Sequence, residues 1–110
     1  MSPPTIEILY FDGCPGYAAV VPTVHRIATS EGARVEQFAI VTAAQAEHAH
    51  FLGSPTVRID GIDVDAGAAE RTDYGLKCRL YVTPEGCQHT PPEAWIRAAL
   101  RRSRERSDGA

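Results

Sequence analysis

The chain has 110 residues, enough for one domain that buries a core without metal or disulfide staples. Apolar residues make up 44%, charged residues 23%, and the net charge is −3. With only 7% aromatics and no basic excess, the composition gives no support for a nucleic-acid partner. No apolar run is long enough for a membrane span, and no N-terminal stretch reads as a signal peptide. Three cysteines, an odd number without an export signal, point to reduced thiols in the cytoplasm rather than a secreted disulfide framework.

Residues 1–4 read as a loose tail. Thr5 to Phe11 is β-branched and aromatic, which suits a central strand buried on both faces. Asp12-Gly13-Cys14-Pro15-Gly16 breaks it. Tyr17, Val20, Val21, Val24, Ile27 and Ala28 then recur at helical spacing, and Gly32 suits the left-handed residue that ends a helix. Pro22 falls inside this helix and is expected to bend it.

Val35 to Val41 reads as a second strand. Thr42-Ala-Ala-Gln45 matches a capping box, so a second helix is expected to run through Leu52 and end at Gly53. Ser54-Pro55 forces extended chain. Residues 56–59 and 62–64 form a hairpin around Asp60-Gly61, with Val57, Ile59, Ile62 and Val64 on one inner face.

Residues 66–89 are the least legible. Cys78 to Thr83 has the composition of a short strand, with Cys78 a small buried hydrophobe and Pro84-Glu85-Gly86 its turn. Thr90-Pro91-Pro92-Glu93 is a second capping box, with Pro91 at the first helical position. Trp95, Ile96, Ala99 and Leu100 give the last helix one apolar face. The basic residues from Arg101 to Arg106 read as its solvated end, the cations complementing the dipole. The expected order is β-α-β-α-β-β-α, a mixed four-stranded α/β sheet with an insertion at about 66–89. The domain spans 5–103, and 104–110 form a second tail.

That order, with Cys14-Pro15 opening the first helix, Pro22 eight residues later and Ser54-Pro55-Thr56 before the third strand, resembles the thioredoxin-like superfamily. The resemblance covers roughly residues 5–65 and 90–102. The chain is also similar to a group of small bacterial thioredoxin-like proteins. Some of them carry alkylmercury-lyase or "DF family" selenoprotein names. The matching residues are Leu9-Tyr-Phe-Asp-Gly-Cys-Pro15, Phe51-Leu-Gly-Ser-Pro-Thr56, and Glu70-Arg-Thr-Asp-Tyr-Gly-Leu76 with Cys78.

The resemblance implies that Pro55 is cis and adjacent to Cys14, and that Cys14 is a redox thiol. A helix start offers unpaired N–H groups and a positive dipole end, which stabilise a thiolate, whereas a nearby Asp12 carboxylate opposes one. The second cysteine of a Cys-x-x-Cys motif is replaced by Tyr17, so a dithiol cycle through that motif is excluded. Three routes are open. Cys14 could form mixed disulfides resolved by an external thiol such as glutathione. Cys78 or Cys87 could resolve it. Or peroxide could oxidise it to a sulfenic acid.

The candidate catalytic residues are Cys14, Tyr17 (donating toward sulfur), Pro55 and Cys78. Pro15, Ser54, Thr56 and Arg71 are the candidate substrate contacts, Arg71 through its charge. The expected partner is a protein or small-molecule thiol or disulfide, with no bound cofactor and no metal. The cysteine spacings do not fit structural zinc. His25, His48 and His50 read as surface residues. Two other readings stand beside the redox one. The first is a binding module holding an extended peptide at the Ser54-Pro55 edge. The second is handling of a soft metal or organomercurial by Cys14 and Cys78.

Overall fold

The computed structural model describes residues 3–108. In chain order these form β1 (Thr5–Tyr10), α1 (Pro15–Glu31), β2 (Arg34–Ala39), α2 (Ala43–His48), β3 (Thr56–Ile59) and β4 (Ile62–Asp63). A 3-10 turn (Ala66–Glu70), β5 (Tyr81–Thr83), β6 (Gly86–Gln88) and α3 (Glu93–Asp108) follow. β2, β1, β3 and β4 make a four-stranded mixed sheet in that order, and β5 and β6 form a separate hairpin.

β1 is central. It pairs in parallel with β2, from Thr5 opposite Arg34 to Tyr10 opposite Ala39, and antiparallel with β3, from Ile6 opposite Ile59 to Leu9 opposite Thr56. One face is fully covered, whereas the other is closed only toward Leu9 and leaves Glu7 half-buried, so the strand is less enclosed than its mostly apolar run predicts. On one face Ile6 and Ile8 pack with Val20, Val24 and Ile27 of α1, Val57 and Ile59 of β3, and Ile96 and Leu100 of α3. On the other, Leu9 packs with Ile40, Ala46 of α2 and Phe51. Arg26 pairs with Glu93, and Glu31 receives Arg97 and Arg104, which clamps α1 to α3.

Several boundaries differ from those expected. β2 stops at Ala39, because the Val41 N–H is taken by the Gln45 side chain of the α2 capping box at 2.8 Å. α2 stops at His48 instead of running to Leu52. His50 adopts a left-handed φ of 54°, and the N–H groups of His50 and Phe51 bond back to Glu47 O and Ala46 O. That is a Schellman ending. It turns Phe51 into the second core cluster, with a histidine in the place where glycine was expected. α1 is continuous through Pro22 and ends at left-handed Gly32.

In the β3–β4 turn Asp60 and Gly61 both have positive φ, as a type I′ pair needs. Val57, Ile59 and Val64 are buried, but Ile62 is 52% exposed at the sheet edge. α3 begins at Glu93, two residues later than expected, because Pro92 disfavours a helical conformation at Pro91. It runs to Asp108, past the boundary at 103, and Arg104 bonds Glu31 rather than standing free in solvent. Of the two tails, residues 1–2 and 109–110 lie outside the described residues. Among the described residues no helix is long and apolar enough to cross a membrane.

Candidate active site at the start of α1

Because β3 runs antiparallel to β1, the start of β3 lies beside the end of β1. The Ser54–Pro55 peptide, which is cis, is thereby brought against the turn that leads into α1. The Phe11 N–H donates to Ser54 Oγ at 3.3 Å, and Cys14 Sγ donates to Ser54 O at 3.4 Å.

Cys14 is the N-cap residue of α1, with Pro15 in the first turn where a missing N–H costs nothing. Its side chain makes no capping bond, because the sulfur is turned to Ser54. It is only 4% exposed. It lies on a cleft of about 350 Å³ lined by Cys14, Pro15, Gly16, Ser54, Cys78 and His89, among others.

The stretch 66–89 closes this site from one side. Gly75 N donates to Phe51 O, Ser54 N to Lys77 O at 2.8 Å, and Arg79 N to Ser54 O at 2.9 Å. Ser54 and Cys78 are thus partners in an isolated parallel bridge. This corrects two expectations. Cys78 is exposed rather than buried in a strand, since the strand begins only at Tyr81. The Ser54 backbone, expected to receive an extended partner chain, is already paired with the chain's own residues 77 and 79.

Two residues that sequence reasoning passed over hold that closure. The Arg79 side chain is fully buried. It donates to both Asp63 oxygens, at 2.7 and 3.0 Å, and to Thr56 Oγ1 at 3.2 Å. Asp65 lies 3.6 Å away, and the guanidinium carbon sits 4.4 Å from the centre of the Tyr81 ring. Tyr81 is also fully buried, and its hydroxyl donates to Pro55 O at 2.6 Å. The carbonyl oxygens of both residues of the cis dipeptide are therefore bonded from this segment. Asp63 and Asp65, two acids one strand-period apart beside an apolar hairpin, were the available signal that a buried cation was needed.

Burial pushes the Tyr81 phenol above the ordinary tyrosine range; Asp63 and Asp65 act in the same direction and Arg79 against it. A raised value in the folded chain means stability is fully present below the unfolded-state value of about 10 and is lost as pH rises through the folded one. The urea midpoint is expected to fall between pH 9 and 11.5, and to fall less in Tyr81→Phe. Equal slopes would mean that the phenol is not enclosed. Tyr17, whose phenol is also raised, mainly by desolvation, supplies part of the remaining slope.

Gly16 is a third missed residue. A Cβ there would lie 2.9 Å from His89 O and 2.9 Å from Pro55 Cδ. Alanine would ordinarily gain about 1 kcal/mol over glycine in a helix. Here the contacts are with backbone and a proline ring, so overpacking of about 1–3 kcal/mol wins. Gly16→Ala is expected to destabilise the protein in a urea titration; a stabilised variant would show that the helix does not press on the Pro55 loop.

The other expected residues separate. Pro15, Ser54 and Cys78 line the cleft with Cys14. Thr56 is buried, donates to Gly53 O at 2.6 Å and accepts from Arg79, so it supports the loop from inside. Tyr17 does not reach sulfur. Its ring stacks on Tyr10 at 3.7 Å and its hydroxyl donates to Gln37 of β2. Arg71 is not among the residues of the Cys14 cleft. It forms two bonds to Asp73, at 2.9 and 2.7 Å, and lines a different cleft with His50, Arg58 and Tyr74. His25, His48 and His50 are exposed, His50 stacked on Tyr74. Cys87 is exposed in β6, opposite Val82. Among the described residues no three His, Cys, Asp or Glu side chains are grouped to hold a metal ion. No family model, no curated protein and no solved structure matches the chain.

Proposed function

We propose that the chain is a thioredoxin-like thiol redox protein in which Cys14 is the attacking thiol. The observation that carries the reading is the position of one sulfur. It sits at the N-terminus of a 17-residue helix and within hydrogen-bond distance of the Ser54 carbonyl, which precedes Pro55. The sheet order and the mixed pairing around β1 support the same assignment.

The chemistry follows from the groups present. The Cys14 thiol loses its proton to solvent, and the thiolate attacks one sulfur of a substrate disulfide. A Cys14–substrate bond forms, the substrate S–S bond breaks, and the other half leaves as a thiolate. Pro15 has no N–H, so the free amides of the first turn nearest the sulfur are those of Gly16 and Tyr17. A small-molecule disulfide or a glutathione adduct fits the cleft better than a folded protein segment does, since Ser54 already has its backbone partners. Three unpaired cysteines suit a reducing compartment such as the cytoplasm.

The test is competitive labelling. Reduced protein is exposed to limiting glutathione disulfide, quenched with acid, and mapped by mass spectrometry. Cys14 is expected to carry the first modification although it is the most buried of the three cysteines. Modification of Cys78 and Cys87 with Cys14 untouched would remove the reading.

A further inference from the structure

We propose that Cys78 is the resolving thiol, so that the oxidised form of the protein carries an intramolecular Cys14–Cys78 disulfide. This rests on the reading of Cys14 as the attacking thiol and adds the fate of the mixed disulfide.

Three observations converge on Cys78. First, one carbonyl lies between Cys14 and the segment that carries Cys78. Ser54 O accepts from Cys14 Sγ at 3.4 Å and from the N–H of Arg79, the residue after Cys78, at 2.9 Å. Second, Cys78 is the parallel-bridge partner of Ser54, and paired residues in a parallel ladder turn their side chains to the same side of the sheet. The Ser54 side chain is turned toward Phe11 and the loop that leads to Cys14. Third, both cysteines line the same cleft, which does not include Cys87.

Cys78 is also held in place. Its preceding carbonyl accepts from Ser54 N, and the residue after it is Arg79, bonded through its backbone to Ser54 and through its side chain to Asp63. A thiol whose backbone is fixed on both sides, on the same cleft as its target, needs little ordering to react. Cys78 is exposed, so it can lose its proton to solvent.

The step balances. The Cys78 thiolate attacks Cys14 Sγ of the mixed disulfide. The Cys14–Cys78 bond forms, the Cys14–substrate bond breaks, and the second half of the substrate leaves as a thiolate. Two protein thiols have been oxidised by two electrons, and one substrate disulfide has been reduced to two thiols. External thiols of the glutathione class reverse the oxidation in the same two stages.

Lys77 is the only lysine in the sequence and lies between Cys14 and Cys78. Cleavage after lysine therefore yields two fragments, with Cys14 on the first and Cys78 and Cys87 on the second. The wild-type protein and the Cys78→Ser, Cys87→Ser and Cys14→Ser variants are treated with glutathione disulfide, alkylated, denatured and cut without reduction. The fragments are expected to stay joined in the wild type and in Cys87→Ser, and to separate in the other two. Cys78→Ser is expected to stop at a glutathione adduct on Cys14, with a lifetime at least about tenfold longer than in the wild type. A wild-type protein that accumulates the same Cys14 adduct with unlinked fragments would overturn the proposal while keeping Cys14 as the attacking thiol. Fragments joined in Cys78→Ser but not in Cys87→Ser would give the role to Cys87 and overturn it too. Absence of any adduct or link at Cys14 would overturn both readings together.

Discussion

Replacing Arg79 by alanine is expected to lower the unfolding free energy by about 3–5 kcal/mol, the range for removing one partner of a buried ion pair. Truncation does two things at once. It leaves the Asp63 carboxylate, whose side chain is only 12% exposed, without its bidentate partner. It also empties the space of a fully buried long side chain packed on the Tyr81 ring. For a chain of this size each kcal/mol is worth roughly 4 °C, so the midpoint of thermal unfolding should fall by roughly 12–20 °C.

The charge component is separable. In Arg79→Met with Asp63→Asn no carboxylate is stranded at position 63, most of the volume is kept, and the amide oxygen can still accept the Asp65 N–H. Part of the lost stability should return. A loss below about 1 kcal/mol in Arg79→Ala would mean that the ion pair does not hold residues 77–79 against Ser54.

The second large effect is chemical. Cys14→Ser is expected to slow exchange with glutathione disulfide by at least roughly a hundredfold, because a neutral hydroxyl does not perform thiol–disulfide exchange. Stability should hardly change. Serine is among the best N-cap residues, it is smaller than cysteine, and its hydroxyl can make the same bond to Ser54 O. A stopped-flow rate combined with a urea titration separates the two effects. Exchange that survives in a folded Cys14→Ser protein would assign the chemistry to another cysteine. The same variant with lost stability would instead give Cys14 a packing role.

Where the local rules were strong they were also legible. The apolar run of β1, the helical period from Tyr17 to Ala28, the Thr42–Gln45 capping box and the Asp60-Gly61 turn each depend on neighbours within a few residues. The errors at element ends have an equally local cause. The α2 ending uses His50, a residue that adopts a left-handed φ less readily than glycine does, and only the burial of Phe51 makes it worthwhile. The delayed start of α3 comes from a proline constraining the proline before it.

The site divides along the same line. That a cysteine-proline pair opens the first long helix and that Ser54-Pro55 breaks the chain before a strand could be read from neighbouring residues alone. Both are dictated by covalent geometry and short-range hydrogen bonding. Which side chains gather around that sulfur depends on contacts between distant parts of the chain. The antiparallel pairing of β1 with β3 delivers Ser54 O to Cys14 Sγ. The burial of Arg79 against Asp63 holds residues 77–79 along Ser54 and so places Cys78 on the same cleft, while Arg71 and Tyr17 are drawn elsewhere by Asp73 and Gln37. Such partners are chosen by long-range packing and by the cost of leaving a buried charge unpaired, and neither leaves a mark at the spacing of nearby residues.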